Sequence, residues 1–179
     1  MPLQKGDQVP HFELQDQNGE LFSSSTVIGK KPVVVYFYPK DETPGCTAEA
    51  CSFRDSYEDF LALGAEVIGI SSDSIKSHQR FAKRHQLPFI LLADTQKKVQ
   101  RLFKLPKLLF GLYTKRITFV IDASGKVIYV HDSIFANSHI KKALRSLQKQ
   151  VDYCIDFLPT FNKNQIHHAK QKTTQKRNQ

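Results

Sequence analysis

The chain has 179 residues, 40% of them hydrophobic, which suits one globular domain with a sizeable core. Its formal net charge is +9, and no apolar run approaches the roughly 18 residues of a membrane-spanning helix, so we expect no membrane segment. The N-terminal stretch MPLQKGDQVP also lacks the apolar core of a signal peptide. We therefore expect a cytoplasmic protein whose thiols stay reduced and whose disulfides are transient.

The positive charge is concentrated at the C-terminus. Residues 157–179 contain no acidic side chain, and their polar, low-complexity composition predicts a disordered tail after a domain spanning 1–156. The basic residues of the tail are Lys163, Lys170, Lys172, Lys176 and Arg177. Basic tails can bind nucleic acid or anionic lipid. A solubilising terminus is the simpler interpretation, so we expect neither partner.

The hydrophobic pattern predicts alternating strands and helices. HFELQDQNGELF is typical of a hairpin, because Asn18-Gly19 tolerates the positive φ angles of a tight turn. The continuous apolar run 33–38 predicts a strand buried on both faces. The pattern then predicts a helix over 47–63 ended by Gly64, a strand over Glu66–Ser71, a helix over 74–86 ended by Pro88, a strand over 89–92 and a helix over 95–103.

The last third of the chain predicts a second hairpin and a closing helix. Strands over Ile117–Ile121 and 126–131 flank the turn 122–125, and a helix follows over 137–150. This order of elements predicts an α/β domain in which helices flank a mixed central β-sheet. A thioredoxin-like fold fits that order.

Two of the three cysteines lie in PVVVYFYPKDETPGCTAEACSFRD, behind the predicted buried strand. A thiol attacks as its thiolate, which a helix N-terminus and a nearby cation both stabilise. Cys46 lies where a loop enters a helix. Arg116, which opens RITFVID, is the candidate cation if its strand lies beside the one ending at Tyr38. Arginine stays charged and can donate to two atoms at once.

The loop before Cys46 adds further candidates. The Thr43 hydroxyl can donate to, or accept from, an oxygen held against the sulfur. Pro39 and Pro44 stiffen the loop, and Pro39 is placed to shield a thiolate from water. Each residue alone is ordinary turn chemistry between a strand and a helix. Together around one cysteine they indicate a reactive thiol.

These residues closely resemble the peroxiredoxins, most of all the bacterioferritin comigratory protein, or PrxQ, branch. The family motif Pro-x-x-x-Thr-x-x-Cys is here Pro39, Thr43 and Cys46, with Arg116 in KRITFVID. The resemblance covers roughly residues 3–150 by the order of elements and motifs. It implies a thioredoxin-fold peroxidase that reduces hydrogen peroxide and organic hydroperoxides without a metal, haem or other cofactor.

The resemblance also implies a role for each residue. Cys46 is the peroxidatic nucleophile, Thr43 and Arg116 hold the peroxide oxygens, and Pro39 shields the site. Cys51, five positions later, is the resolving cysteine, which condenses with the Cys46 sulfenic acid to give a disulfide. A dithiol protein such as thioredoxin then reduces that disulfide. If both cysteines lie in one helix, the helix must unwind before they can bond.

Other interpretations remain open. A thiol–disulfide oxidoreductase on the same fold would need Cys-x-x-Cys, whereas four residues separate Cys46 from Cys51. A non-enzymatic zinc site could combine Cys46, Cys51, Cys154 and a tail histidine, but nothing in the spacing fixes its second half. Cys154 lacks the setting of a distant resolving cysteine and is interpreted as a bystander. The apolar loop 105–114 fits core packing, a groove for bulky hydroperoxides or a dimer face, and we expect a monomer or weak homodimer.

Overall fold

The structure is a computed structural model that describes residues 1–108 and 113–157, with the backbone alone at 107–108, 113–114, 137 and 154–157. The strands are β1 (Glu13–Asp16), β2 (Leu21–Ser23), β3 (Val33–Phe37), β4 (Glu66–Ser71), β5 (Ile90–Ala93), β6 (Lys107–Leu108), β7 (Tyr113–Thr114), β8 (Ile117–Ile121) and β9 (Val127–Asp132). The helices are α1 (Pro44–Asp55), α2 (Tyr57–Ala62), α3 (Ile75–His85), α4 (Lys98–Leu102) and α5 (Ala136–Phe157).

The chain divides into two compact units, Met1–Gln148 and Lys149–Gln179. The predicted tail from 158 onward lies outside the described residues. The predicted boundary between 156 and 157 therefore stays a prediction. Within the described part of the chain, no helix is both long and apolar enough to cross a membrane.

Seven of the described strands form one mixed sheet in the order β2-β1-β5-β4-β3-β8-β9. Strands β3, β4 and β5 run parallel, while β1, β8 and β9 join antiparallel to their neighbours. The parallel strands are connected through helices, as a parallel crossover requires. The prediction of a mixed central sheet with helices is confirmed.

Strand β3 separates two hydrophobic cores because its side chains alternate between the faces of the sheet. Tyr36 and Tyr38 belong to the core that α1, α2 and α3 cover, whereas Phe37 belongs to the core on the opposite face. Every residue of β3 is buried. The prediction that this apolar run is a strand buried on both faces is confirmed.

Helix α1 is held on the sheet by stacked aromatic rings. The Phe53 ring lies 4.5 Å from the Tyr36 ring, centroid to centroid, and also contacts Phe60 of α2. Phe53 is fully buried, and truncating such a side chain to alanine costs about 3–5 kcal/mol. This packing fixes the orientation of α1, and with it the direction of the side chains in its first turn.

Several predicted helix ends are wrong. The segment predicted as one helix over 47–63 is α1 and α2, separated by Ser56, whose backbone leaves the helical conformation. Helix α3 ends at His85, within one residue of its predicted end, but the left-handed conformation of the next residue, Gln86, ends it rather than Pro88. Helix α4 is shorter than predicted and α5 is longer. These ends depend on single-residue dihedral angles, which hydrophobic spacing does not report.

Both predicted hairpins are confirmed, as the pairs β1–β2 and β8–β9. The segment 105–114 contains a short hairpin that was not predicted, in which β6 pairs antiparallel with β7. Residues 109–112, between the two strands, lie outside the described residues. The interpretations of this apolar loop as core, dimer face or substrate groove remain predictions.

Candidate active site

Cys46 lies in the first turn of α1. Thr43 is the N-cap in an extended conformation, and Pro44 occupies the first helical position, where its missing N–H removes no hydrogen bond. The Thr47 N–H donates to the Thr43 carbonyl at 2.8 Å, which leaves the earlier N–H groups without helical acceptors. Cys46 is only 2% exposed. Its sulfur is therefore buried at the positive end of a helix.

Arg116 reaches Cys46 because β8 lies beside β3. Phe37, the last residue of β3, pairs with Ile117, the first residue of β8. Arg116 immediately precedes that pair, and its Nη2 donates to the Cys46 Sγ at 3.5 Å. The condition under which Arg116 is a candidate, that its strand lies beside the one ending near Tyr38, is therefore met. The structure thus places a fixed positive charge against the sulfur.

Gly45 gives the guanidinium its space. A Cβ atom at this position would lie 3.1 Å from the Arg116 Nη2, which is tighter than an ordinary contact. The guanidinium cannot withdraw freely, since its Nη1 donates to Glu49. A side chain at residue 45 would therefore press on the atom that contacts the Cys46 sulfur.

Glu49 is a part of the site that the sequence analysis missed. Its Oε2 accepts from the Arg116 Nη1, and its side chain is fully buried. Burial raises the pKa of Glu49 to about 8, although Arg116 offsets part of the rise. Glu49 lies three residues after Cys46, on the same side of α1. That spacing is a signal by which the sequence could have identified it.

His139, on α5, borders Glu49 without donating to it. Its Nε2 lies 2.9 Å from the Ser133 carbonyl and its Nδ1 lies 2.8 Å from the Thr118 hydroxyl. Burial lowers the pKa of His139 to about 4, so the ring is neutral at pH 7. A carbonyl can only accept, so Nε2 carries the proton and Nδ1 accepts from Thr118. The Glu49 Oε1, 3.7 Å from Nδ1, has no hydrogen-bond partner among the described groups.

The site therefore holds one permanent cation and two acids. Arg116 contacts both Cys46 and Glu49, and all three side chains are buried. A buried cation stabilises one anion well, whereas a second anion beside it repels the first. The raised pKa of Glu49 keeps its carboxyl neutral near pH 7, and the charge of Arg116 is then available to a thiolate on Cys46. The arrangement is suited to a nucleophilic thiol.

The other predicted residues lie in the loop that joins β3 to α1. The Thr43 hydroxyl donates to the Lys40 carbonyl at 3.0 Å, and its oxygen can still accept a hydrogen bond. Pro39 is half-buried at the start of this loop. The roles of Thr43 in holding an oxygen and of Pro39 in shielding the sulfur remain predictions.

Asp41 fastens this loop to the body of the protein. Its carboxylate accepts from the Tyr38 hydroxyl at 2.8 Å and lies 2.9 Å from the His78 Nδ1 of α3. Its backbone N–H donates to Asp73 at 2.9 Å. All of these partners belong to, or adjoin, the central strands or α3. The loop that carries Thr43 is thus anchored at Asp41 through both its side chain and its backbone.

Cys51 is not beside Cys46, although both belong to α1. Five residues of helix separate them by a rise of about 7.5 Å. This exceeds the Cα separation of roughly 7 Å at which a disulfide closes without backbone movement. Both thiols are free, and the Cys51 Sγ lies 3.9 Å from the His85 Nδ1 of α3. Cys154 belongs to α5, but its side chain lies outside the described residues.

No group of three or more histidine, cysteine or acidic side chains that could hold a metal ion occurs among the residues the structure describes. The zinc alternative also requires Cys154 and a tail histidine. Their side chains are not described, so that alternative is not tested.

Comparison with known proteins gives a consistent picture. Residues 5–130 match the AhpC/TSA family. Peroxiredoxin Q, chloroplastic, from Sedum lineare is 52% identical over 145 residues, which are 80% of this chain and 77% of the relative. Peroxidoxin BcpB from Mycobacterium tuberculosis has a solved structure with a TM-score of 0.78 and 40% identity over 82% of this chain and 97% of its own.

A second solved structure comes from Xanthomonas campestris. Its bacterioferritin comigratory protein, described by its alkyl peroxide reduction activity, has a TM-score of 0.72 and 29% identity, covering 78% of this chain and 91% of its own. These neighbours confirm the predicted thioredoxin-like α/β fold and the predicted resemblance.

The prediction of a cytoplasmic location is wrong. The relatives from Sedum lineare, rice and Arabidopsis thaliana are all named chloroplastic. The prediction depended on the lack of an apolar signal peptide. Segments that direct proteins to chloroplasts are instead amphipathic and rich in serine and arginine. The lack of an apolar N-terminal segment therefore does not argue against a chloroplast location.

Proposed function

The chain belongs to the AhpC/TSA family and is a peroxiredoxin of the Q type, and we propose that its peroxidase reaction divides between Cys46, which attacks the peroxide, and Cys51, which resolves the product. The observation that supports this division is the 3.5 Å contact between the Arg116 Nη2 and the Cys46 Sγ, at the N-terminus of α1. Cys51 has neither of these features.

In the first step the Cys46 thiolate attacks one oxygen of the hydroperoxide. The O–O bond breaks, the sulfur becomes a sulfenic acid and the other oxygen leaves as an alcohol or water after gaining a proton. Arg116 stabilises the thiolate and the charge that develops on the leaving oxygen. The Thr43 oxygen accepts the hydrogen of the peroxide, because its own proton is donated to Lys40.

In the second step the Cys51 sulfur displaces hydroxide from the sulfenic acid and forms a disulfide. Because α1 holds the two residues apart, its first turns unwind to let them meet. Each helical hydrogen bond lost costs a net of about 0.5–1.5 kcal/mol, which a covalent bond readily offsets. A thioredoxin-type dithiol then reduces the exposed disulfide and restores the helix.

The names of the relatives extend the proposal to substrate and location. The Xanthomonas campestris structure is described by alkyl peroxide reduction, so we include organic hydroperoxides with hydrogen peroxide as substrates. The plant relatives are named chloroplastic, which favours a plastid as the compartment. No metal or haem enters the scheme, because sulfur carries both electrons in each step.

A peroxide-consumption assay with and without a thioredoxin system tests the proposal. We expect sustained consumption only when thioredoxin, its reductase and NADPH are present, and none from Cys46→Ser, whose hydroxyl is not ionised at neutral pH. Exchange of disulfides without peroxide consumption would instead identify a thiol–disulfide oxidoreductase. The matched control is Cys154→Ser, which removes a thiol and should leave turnover unchanged.

A further inference from the structure

Cys51 has a histidine and a carboxylate aligned behind it. The His85 Nδ1 lies 3.9 Å from the Cys51 Sγ, and the other ring nitrogen, Nε2, lies 3.3 Å from the Glu42 Oε2. The three residues come from different elements: Cys51 from α1, His85 from the last turn of α3 and Glu42 from the loop before α1. We call this arrangement the Cys51–His85–Glu42 relay.

The hydrogen-bond roles in the relay follow from chemistry. A carboxylate has no proton to give, so Nε2 of the neutral His85 ring carries the proton and donates it to Glu42. The lone pair of Nδ1 then faces the Cys51 sulfur. A thiol can donate to that lone pair. A nucleophile, a base and a group that orients the base are thus in line.

We propose that His85 is a catalytic base for the second step, in which it removes the proton of the Cys51 thiol. The inference rests on the proposed function, since it requires Cys51 to be the resolving cysteine. The thiolate of Cys51 attacks the sulfenic sulfur of Cys46, the S–O bond breaks, and the proton held by His85 passes to the departing hydroxide to give water. The sulfenic sulfur is reduced and the Cys51 sulfur is oxidised, and the hydroperoxide is the source of the oxidising equivalents.

The charges around His85 favour this role. Glu42 faces Nε2 from the loop and stabilises the imidazolium that forms. Arg84, on α3 itself, contacts the same Glu42 oxygen at 3.1 Å and shares its charge. From α1, Arg54 faces the Cys51 side of the relay and is itself paired with Asp55 at 2.8 Å. The Glu42 carboxylate beside Nε2 is therefore the charge that assists proton transfer to His85.

The relay also fixes which end of α1 moves. Arg54, three residues beyond Cys51, donates through Nη1 to the His85 carbonyl at 2.8 Å and joins this end of α1 to α3. Cys51 therefore stays in contact with His85 while the Cys46 end of the helix unwinds and brings the Cys46 sulfur toward Cys51.

The size of the effect is bounded by thiol chemistry. An ordinary thiol with a pKa of about 8.5 is roughly 3% ionised at pH 7, so complete ionisation raises its attack rate at most about thirtyfold. The gain is smaller in practice, because a more acidic thiol is also a weaker nucleophile. We expect His85 to accelerate disulfide formation about tenfold at pH 7.

Single-turnover kinetics test the proposal. Reduced protein is mixed with one equivalent of hydrogen peroxide, and sulfenic acid and disulfide are followed separately. In His85→Ala we expect sulfenic acid to form at the wild-type rate and the disulfide to form about tenfold more slowly. The slow rate should rise steeply between pH 6 and 8, as for an unassisted thiol, and added imidazole should restore it. In His85→Gln, which fills the space, the same slowing should occur without rescue.

Disulfide formation at the wild-type rate in both variants would overturn the proposal, as would slowing that neither imidazole nor pH relieves, since that marks a structural role. Cys51→Ser separates this inference from the proposed function. If Cys51→Ser still turns over with thioredoxin at the wild-type rate, the proposed function fails. If Cys51→Ser stalls while His85→Ala resolves normally, only the role of His85 fails.

Discussion

The guanidinium of Arg116 donates to the sulfur of Cys46 at 3.5 Å, although 70 positions separate the two residues in the chain. The same guanidinium donates to the buried carboxyl of Glu49. Two acids thus share one cation in a site from which water is largely excluded. Burial raises the pKa of Glu49 to about 8, so its carboxyl is mostly neutral near pH 7 and does not compete with the sulfur for Arg116.

Arg116→Lys should slow peroxide attack more than it reduces the fraction of Cys46 present as thiolate. Lysine keeps the charge, but a single ammonium group cannot donate to Cys46, Glu49 and a substrate oxygen in the geometry of a guanidinium. Loss of one charge-assisted hydrogen bond of about 1.5–3 kcal/mol corresponds to roughly 10- to 100-fold in rate. Stopped-flow oxidation and thiolate absorbance measure the two quantities. Equal losses in both would mean that Arg116 acts only as a point charge.

Gly45→Ala should slow peroxide attack with little change in stability. Alanine favours a helix over glycine by about 0.5–1 kcal/mol, but the tight contact of its side chain opposes this gain, so the free energy of unfolding should change little. The new Cβ would lie 3.1 Å from the Arg116 Nη2, and displacing that atom weakens its contact with Cys46. Denaturant unfolding and the rate of peroxide attack report the two effects. Ala48→Gly, at an exposed site of the same helix, should lower stability without slowing the attack.

Glu49→Gln should change the pH dependence of peroxide attack. As the pH rises through about 8, the Glu49 carboxyl loses its proton and competes with the Cys46 thiolate for Arg116. The wild-type rate constant per thiolate should therefore fall above that pH, whereas the amide variant should hold its rate. The same decline in Glu49→Gln would exclude Glu49 as its cause. Glu58→Gln, an exposed carboxyl on α2, is the matched control.

Oxidation should unwind the first turns of α1 while the central strands stay folded. Because Cys46 and Cys51 cannot bond within a continuous helix, amide exchange across 45–54 should accelerate in the disulfide form. The strands Val33–Phe37 and Ile117–Ile121 should keep their protection, since both are buried. Hydrogen-exchange mass spectrometry of the two redox forms measures this. Unchanged exchange across 45–54 would show that the disulfide forms by another route.

The sequence predicted the strands that position the site better than it predicted the helix ends. Continuous apolar runs identified β3 and β8. Because these two strands pair in the sheet, Arg116 lies beside Cys46. The break between α1 and α2 depends on the dihedral angles of Ser56 alone, and hydrophobic periodicity does not report them. Glu49 could have been found by its helical spacing from Cys46.

His139 and His85 could not have been found from the sequence in this way. Each meets its partner across a packing contact between elements that are distant in the chain. His139 reaches Thr118 from α5, and His85 reaches Cys51 from α3. Local sequence patterns do not indicate which helix face packs against which loop. These contacts can therefore be identified only from the folded structure.

The division of labour between the two cysteines is tested most directly by Cys51→Ser in the thioredoxin-coupled assay, with Cys154→Ser as the control. Cys51→Ser should consume about one equivalent of peroxide per chain and then stall, because its sulfenic acid has no thiol partner on the helix. Cys154→Ser should turn over like the wild type. Sustained thioredoxin-dependent turnover of Cys51→Ser at the wild-type rate would show that Cys51 is not the resolving cysteine.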